Sequence, residues 1–341
     1  MQNSDITVIV QGPVQSLPER LQDEGITQRC LKSVRNYLPG ARIVLSTWPD
    51  QDLDGLEFDE LIINEDPGPN IIGYQRNGEP RKENTNRQIV STMGGLRRVT
   101  TRYAMKLRAD NYLTGTGFKE LQQQYAERCD ELRILKERVV ITNTLMRRYY
   151  RGHRVAFFLS DFFNFGLTED VMNIWDLPLL DDFPFDPGLK GALQHRGAPA
   201  PTTDVDQVLA ELFIDKHREK PLNLRDVFDT SDGKLRQSDI FFANNFVVAT
   251  PDEIGFGLPL KFTEGRQAKF SSMATCLASP EWRRLYRKFC DTGLPADGEF
   301  LSLAKIRLMR SAFVPLKWLE YQPRRARDKR RYRRAQRQAN R

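Results

Sequence analysis

A short charged segment near the middle of the chain combines residue types that bind phosphate groups and metal ions. In the segment KLRADN, at 106–111, Lys106, Arg108 and Asp110 alternate with apolar residues, as side chains on one face of a β-strand do. An acid at a strand end can hold Mg²⁺, which needs only one or two protein carboxylates when phosphate oxygens and waters complete its shell. Arg108 could bind phosphate through its planar guanidinium. A structural ion pair between Arg108 and Asp110 is the alternative interpretation.

Two further segments place polar residues where anions or nucleosides can bind. Asp66 lies in the turn EDPG at the end of a predicted strand, where an acid can accept a hydrogen bond from a ribose or a base; a turn-forming role is the alternative. Asn86 and Arg87 fall in the first turn of a predicted helix. Because a helix N-terminus attracts anions and disfavours cations, Arg87 predicts an anion site there, unless its side chain only faces solvent.

Acidic residues in the second half of the chain are candidates for proton transfer. Asp161 lies within the strongly apolar segment VAFFLSDFFNFG, where a buried carboxylate needs a partner. Asp204 and Asp206 begin a predicted helix directly after a Pro- and Gly-rich segment at 181–203. Asp204 is favoured as the helix cap. Asp206, inside the first turn, could act as a general base or could only complement the helix dipole.

The elements that must position these residues indicate an α/β fold. The first half predicts the order β-α-β-β-α-β, with strands apolar enough for a sheet that is covered on both faces. Polar residues collect after the strand ends, which is the edge where open α/β sheets bind ligands. The predicted elements are strands at 6–10, 41–48, 59–64 and 103–110, helices at 27–38, 83–99, 118–138, 168–177 and 204–217, and further strands at 138–143, 155–166 and 238–250.

Composition limits the class of protein and the kinds of site. The chain is 40% apolar and 28% charged, which is typical of a globular protein, and no apolar run approaches the roughly 18 residues of a membrane span. The four cysteines and three histidines are scattered, which argues against a metal-type spacing and fits a reducing cytoplasm. No G-x-G-x-x-G or GxxxxGK[ST] segment is present, so neither a dinucleotide site nor a P-loop is supported.

The net charge of +7 belongs to the C-terminus. Residues 322–341 contain ten Lys and Arg against one Asp, and the rest of the chain holds 42 basic and 44 acidic residues. Such a segment can meet an anionic membrane or nucleic acid, or remain solvated. Amphipathic segments at 281–289 and 301–321 precede it, and they could lie in a membrane interface or pack on the rest of the fold.

Six ordered motifs resemble those of a known family. They are ITVIVQGPV, CLKSVRNYLPGARIVLSTW, EDPG, NTNRQIVSTMGGL, YAMKLRADNYL and SDFFNFG, and they fall within residues 5–265. On these motifs the chain resembles the WavE lipopolysaccharide-synthesis family of glycosyltransferases. The resemblance implies a GT-A-like α/β fold with a mixed, mainly parallel sheet flanked by helices, followed by a helical basic C-terminal region. It also implies transfer of a sugar from a nucleotide-sugar donor to a lipid-linked saccharide in lipopolysaccharide or other surface polysaccharide synthesis.

The resemblance further implies roles for individual residues. The residues implied to contact the donor are Gln11, Gly12, Asp66, Asn86, Arg87, Lys106 and Arg108. Asp110 is implied as the ligand of Mg²⁺ or Mn²⁺, although Arg108 stands where the family's DxD motif has its first acid, which leaves one of the two usual acids. The segment VDQVL, at 205–209, resembles the family's Pro-Glu-Gln segment. It implies Asp206 as the base of an inverting transfer. Asp161, singled out by its apolar surroundings, is a second catalytic candidate, with a core hydrogen bond as the alternative.

The resemblance predicts how the chain is divided. A GT-A-like domain is expected at 1–265, with a nucleotide-sugar-binding half at 1–115 and an acceptor half at 116–265. Amphipathic helices at 266–323 and a basic disordered tail at 324–341 follow. The tail is expected to hold a cytoplasmic protein peripherally on the inner face of the cell membrane. A nucleotidyltransferase on a related α/β scaffold is an alternative. A nucleic-acid-binding protein is another, disfavoured because Tyr332 is the tail's one aromatic residue.

Overall fold

A seven-stranded sheet flanked by helices forms the centre of the molecule, with three smaller sheets around it. The computed structural model describes residues 1–14, 23–263, 273–296 and 298–339. The strands are β1 (Ile6–Gln11), β2 (Arg42–Thr47), β3 (Glu60–Ile63), β4 (Asn70–Tyr74), β5 (Pro80–Glu83), β6 (Tyr103–Arg108), β7 (Tyr112–Leu113), β8 (Val139–Thr142), β9 (Tyr149–Tyr150), β10 (His153–Arg154), β11 (Phe163–Leu167), β12 (Gln194–His195), β13 (Phe246–Ala249) and β14 (Phe256–Gly257). The helices are α1 (Ile26–Tyr37), α2 (Thr85–Leu96), α3 (Phe118–Gln123), α4 (Thr168–Trp175), α5 (Val205–Asp215), α6 (Lys234–Asn245), α7 (Pro251–Ile254), α8 (Leu260–Thr263), α9 (Ser279–Phe289) and α10 (Phe300–Ala339).

The strand order of the central sheet is β13-β8-β11-β6-β1-β2-β3. Strands β6, β1, β2 and β3 run parallel to one another, β13 runs parallel to β8, and β11 alone runs antiparallel to both of its neighbours. The predicted fold class, a mixed and mainly parallel sheet flanked by helices, is therefore confirmed.

Strands β1 and β6 lie at the middle of the sheet because their side chains can be buried on both faces. Every residue of β1 is buried, and in β6 all but the last residue are buried. Their parallel register sets Gln11 opposite Arg108, and the Ala109 amide donates to the Gln11 carbonyl at 2.9 Å. The polar ends of the two central strands therefore lie side by side at the carboxyl edge of the sheet.

The first half of the chain follows the prediction with two differences. Helix α1 begins at Ile26, because Gly25 turns the chain in a left-handed conformation with φ of 67°, so Thr27, the first residue of the predicted helix, lies inside it. The predicted helix at 83–99 is the shorter α2. The residues before it form a hairpin of β4 and β5, which the sequence prediction missed.

Three elements predicted in the second half are wrong in length or type. The helix predicted at 118–138 ends with α3, and Tyr125 and Leu132 beyond it have positive φ of 53° and 55°. The strand predicted at 155–166 is paired only in β11, since the chain before it turns at Phe157, where φ is 61°. The strand predicted at 238–250 is helix α6 followed by the short strand β13, because buried packing of the helix overrides the strand preference of its aromatic residues.

Helix α9 packs on the body of the fold. Trp282 and Tyr286 are buried, and both rings meet the Tyr125 ring edge-on, with centroids 4.8 Å and 5.0 Å away. The amphipathic segment at 281–289 therefore covers the fold with its apolar face, which is the second of the two alternatives for this segment.

Helix α10 extends to Ala339, so the expectation of a disordered tail is wrong as far as that residue. Arg, Lys, Gln and Ala, which dominate the segment, are good helix formers. The segment is also anchored, since Asp328 accepts a hydrogen bond from Arg76 and Ala335 is buried. The predicted domain boundary at 265/266 and the last two residues of the chain lie outside the described residues. Within the described ranges, none of the helices is long and apolar enough to cross a membrane.

Candidate active site

The Arg108 guanidinium lies between two carboxylates at the end of the central strand β6. Its Nε and Nη2 donate to Oδ1 and Oδ2 of Asp110 at 2.9 Å and 3.0 Å, and its Nη1 lies 3.5 Å from Oδ2 of Asp161. Burial disfavours the charge, but the two carboxylates outweigh it and raise the pKa of Arg108 above its usual range. The structure therefore brings together three of the predicted residues, with the guanidinium held between the two carboxylates.

Lys106 lies behind this group, fully buried. Its ammonium donates to the Asp161 carbonyl and lies 4.5 Å from the centre of the Trp175 ring. Burial lowers the pKa of Lys106 to about 7, although the Asp161 carboxylate acts in the opposite direction. Because Lys106 is enclosed, it stabilises the segment that carries Asp161 and does not reach the surface of the site.

Asp206 occupies the first turn of α5, next to the segment that holds Asp161. The Leu159 amide donates to the Asp206 carbonyl at 3.1 Å. The Asp206 side chain is buried, and its Oδ2 has no hydrogen-bond partner in the described part of the chain. Burial, with the nearby acids Asp204 and Asp161, raises the pKa of Asp206 well above its usual range. Asp206 is therefore a buried carboxyl group with a raised pKa, and its second oxygen can accept a hydrogen bond from a new partner.

The helix that carries Asp206 is capped as predicted. The Asp204 side chain and Gln207 form a capping box at the start of α5, and Arg147 donates to Asp204 Oδ2 at 3.0 Å. No local pattern indicated Arg147, whose role depends on the fold. Glu83, at the end of β5, was also missed. Burial and the neighbouring Asp204 raise the pKa of Glu83 to about 7. The end of the β4–β5 hairpin therefore lies close to this acidic group.

Gln11 lies beside Arg108 in the parallel register of β1 and β6. Its Oε1 accepts a hydrogen bond from Ser91 Oγ at 2.6 Å, and Ser46 Oγ donates to the Ser91 carbonyl at 2.6 Å. Asn64 Nδ2 donates in turn to Ser46 Oγ at 2.9 Å. This buried polar network fixes the carboxyl ends of β1, β2 and β3. At Gly12, with φ of 109°, an added Cβ would meet none of the described residues within 4 Å, so as far as these residues go the edge beside Gln11 is open.

Asp66 and Arg87 bind each other. Arg87 Nε and Nη2 donate to the two carboxylate oxygens of Asp66 at 2.7 Å and 2.5 Å, and the Gly68 amide donates to Asp66 Oδ1 at 2.9 Å. The hydrogen bond from Arg87 is the main cause that lowers the pKa of Asp66. Both side chains are partly exposed, so the pair can still meet a ligand. Asp66 also has the turn-forming role of its alternative interpretation, whereas Arg87 is paired and does not only face solvent.

Asn86 is engaged in a structural contact. Its Nδ2 donates to the Leu180 carbonyl at 2.9 Å, and its Oδ1 accepts from the Leu180 amide at 2.8 Å. These two bonds hold the irregular segment after α4 against the start of α2. The implied contact of Asn86 with a donor stays a prediction, and the side chain would have to release Leu180 to make it.

The described residues around Asp110 do not fit a divalent ion in addition to Arg108. Both Asp110 oxygens accept from the guanidinium, which occupies the place where a cation would bind. Among the described residues, no cluster of three or more His, Cys, Asp or Glu could hold a metal ion. Mg²⁺ or Mn²⁺ at Asp110 therefore stays a prediction that requires Arg108 to move aside.

Comparison with known proteins gives a family match over most of the chain. The family model described as WavE lipopolysaccharide synthesis matches residues 6–313. Among solved structures, the crystal structure of S. aureus TarS matches with a TM-score of 0.34 and 12% identity, and the match covers 92% of this chain and 44% of that chain. The chain thus spans less than half the length of that structure, and a likeness this weak carries no conclusion about function. No curated protein matches the chain.

Proposed function

Because the chain belongs to the WavE lipopolysaccharide synthesis family, we propose that it is a glycosyltransferase of surface polysaccharide synthesis. The proposed reaction moves a sugar from a nucleotide-sugar donor to a lipid-linked saccharide. The observation that carries the proposal is the Arg108 guanidinium, fixed by Asp110 and Asp161 at the carboxyl edge of the sheet. This is the edge at which open α/β folds bind nucleotides and other ligands.

On the donor side, Arg108 donates its remaining N–H groups to the diphosphate that leaves with the nucleoside. A guanidinium that is already oriented needs little reorganisation when negative charge develops on the leaving group, and such preorganised groups contribute strongly to catalysis. Asp110 and Asp161 act as positioning residues that hold the guanidinium. Gln11, beside it at the end of β1, and Gly12, the next residue, form the neighbouring wall for the nucleotide.

On the acceptor side, Asp206 is the base. Its ionised carboxylate takes the proton of an acceptor hydroxyl while that oxygen attacks the anomeric carbon and the bond to the diphosphate breaks. The environment that raises the pKa of Asp206 makes its carboxylate a stronger base, which favours this step. Asp161 is the second candidate, and its proximity to Arg108 supports a positioning role instead.

A donor panel with matched variants tests the reaction. Purified protein is incubated with UDP-, GDP-, CMP- and ADP-sugars, and the released product is identified. We expect Asp206→Asn to lower turnover by about 10²–10⁴-fold with donor binding retained. Asp215→Asn, at the other end of α5, is the control and is expected to resemble the wild type. Equal turnover in both variants would remove Asp206 as the base. Failure of every donor to bind would contradict the proposal, and release of pyrophosphate would indicate a nucleotidyltransferase.

The proposed acceptor also implies a membrane partner, and we infer that the protein binds peripherally to the inner face of the cell membrane. The basic segment after residue 323 supports this, since a Lys or Arg near an anionic surface contributes about 1 kcal/mol of attraction. Sedimentation with anionic vesicles, with and without residues 324–341, tests the role of the segment. Equal sedimentation of the two forms would contradict it.

A further inference from the structure

A basic cavity lies between the β9–β10 hairpin and helix α10. Its volume is about 480 Å³, and its lining includes four arginines, the Tyr149 ring and one acid, Glu281. The arginines are Arg148, Arg154, Arg307 and Arg310. This charge balance favours an anionic occupant.

Two of the four arginines are neutralised by carboxylates. Arg148 Nη2 lies 2.9 Å from Asp239 Oδ1, and Arg310 donates to both oxygens of Glu281, at 2.8 Å to Oε2. Arg310 also donates to two backbone carbonyls, so it is part of the structure that joins α10 to the fold.

Arg154 and Arg307 differ from this pair. Both are exposed, and neither has a carboxylate partner among the residues that the structure describes. Arg154 projects from the hairpin and Arg307 from α10, so the two approach the cavity from different elements. They can therefore bind one phosphate from two sides without breaking an existing ion pair.

An apolar surface adjoins the cavity on α10. Leu301, Leu308, Leu316 and Leu319 are exposed to 78%, 74%, 53% and 61%, and their spacing places them within one side of the helix. We call these four residues the leucine stripe. Ser311 and Pro315 line the cavity, and they lie three residues after Leu308 and four residues before Leu319, spacings at which side chains are neighbours on a helix. A ligand with a phosphate head and an apolar chain would match both surfaces at once.

We propose that the cavity binds the phosphate of an anionic phospholipid in the membrane, with the leucine stripe lying at the boundary of head groups and acyl chains. Arg154 and Arg307 contact the phosphate. The inference rests on, and deepens, the proposed membrane association, but it does not require that sugar transfer occurs.

The lipid site is joined to the candidate active site through two consecutive residues. Arg148 lines the cavity, while Arg147 donates to Asp204 at the start of the helix that carries Asp206. Binding at the cavity would therefore bring the acceptor side of the protein toward the membrane, where a lipid-linked saccharide lies.

Vesicle sedimentation with charge-matched variants tests the proposal. The probes are vesicles of phosphatidylcholine alone and of phosphatidylcholine mixed with phosphatidylglycerol. We expect the wild type to prefer the anionic vesicles. Arg154→Gln/Arg307→Gln should weaken that binding by about 25-fold, as about fivefold for each cation. The control Arg97→Gln/Arg133→Gln removes two exposed arginines that do not line the cavity and should change binding much less.

A second pair of substitutions tests the leucine stripe. Leu308→Gln/Leu316→Gln alters only exposed side chains, so the fold should be retained, as circular dichroism would show. We expect this variant to bind both kinds of vesicle more weakly.

Equal losses in the two arginine variants, or equal binding of the wild type to neutral and anionic vesicles, would overturn the proposal. Because no nucleotide sugar is needed, these results are separate from the test of the transferase reaction.

Discussion

Removing the guanidinium of Arg108 should destabilise the fold strongly, because it leaves two buried carboxylates without the cation between them. The exposed fractions of the side chains are 22% for Arg108, 10% for Asp110 and 7% for Asp161, so water screens this group poorly. Breaking such a buried pair by removing one partner typically costs about 3–5 kcal/mol. We therefore expect Arg108→Gln to lower the free energy of unfolding by about 3 kcal/mol in urea denaturation at pH 7.

A surface ion pair and a double-mutant cycle provide the controls. Arg98 pairs with Glu60 at 2.5 Å, but its side chain is 56% exposed, so Arg98→Gln should cost less than about 1 kcal/mol. Adding Asp110→Asn to Arg108→Gln removes one uncompensated charge and should recover about 1–2 kcal/mol of the loss. If Arg108→Gln costs no more than Arg98→Gln and the cycle shows no coupling, the acids do not hold the guanidinium, and the proposed donor site loses its basis.

Three further perturbations test the buried charges and the packing of the long helix. The lowered pKa of Lys106 means that the unfolded chain binds more protons than the folded chain between about pH 7 and 10. Its stability should therefore rise with pH over that range, by up to about 1 kcal/mol per unit, and Lys106→Met should abolish the rise in urea denaturation. The raised pKa of Asp206 has the opposite effect on stability. Above about pH 4 the folded chain binds more protons than the unfolded chain, so the free energy of unfolding falls as pH rises. Asp206→Asn should be more stable than the wild type at pH 8 and closer to it at pH 5, whereas equal differences at both pH values would refute the assignment. At Gly152, with φ of 79°, a Cβ would lie 2.3 Å from the Trp318 nitrogen. Gly152→Ala should cost about 2–5 kcal/mol, the strain of the positive φ plus the clash, and expose α10 to trypsin. Gly78→Ala, where φ is 88° and an added Cβ would meet none of the described atoms within 4 Å, should cost about 1–2 kcal/mol and leave α10 protected.

The parts of the fold that could be predicted are those where a local pattern is sufficient. Strands β1, β2 and β6 are short apolar runs, and α1 has apolar residues at helical spacing, so neighbouring residues alone specify them. The same alternation correctly placed Arg108 and Asp110 at the end of a strand. Parallel pairing then brought Gln11 beside them, as expected for strand ends at one edge of a sheet.

The elements that could not be predicted depend on contacts between distant segments. The apolar run before β11 satisfies its backbone without a strand partner, since the Phe157 amide donates to Ser238 Oγ and the Leu159 amide to the Asp206 carbonyl. In the segment after α3, Arg138 donates to the backbone carbonyls of Tyr125 and Glu127, which supports an irregular path in place of the predicted helix.

The acidic side of the site was recognised only in part for the same reason. Asp206 could be singled out from its position in a first helical turn. Glu83 and Arg147 carry no local signal, because the first reaches the site through the β4–β5 hairpin and the second through the chain that leads to β9. The approach of these charges is a property of the tertiary structure, and a single sequence does not encode it in any short motif.

The central sheet crosses the boundary between the two halves that were predicted at 1–115 and 116–265. Strand β6 belongs to the first and β11 to the second, and they are hydrogen-bonded neighbours from Tyr103 to Leu107. If the halves were produced as separate polypeptides, each would present an apolar strand with unpaired backbone groups along an open edge. Such edges recruit other chains, so each fragment should aggregate alone, and soluble protein should be recovered only when both are synthesised together.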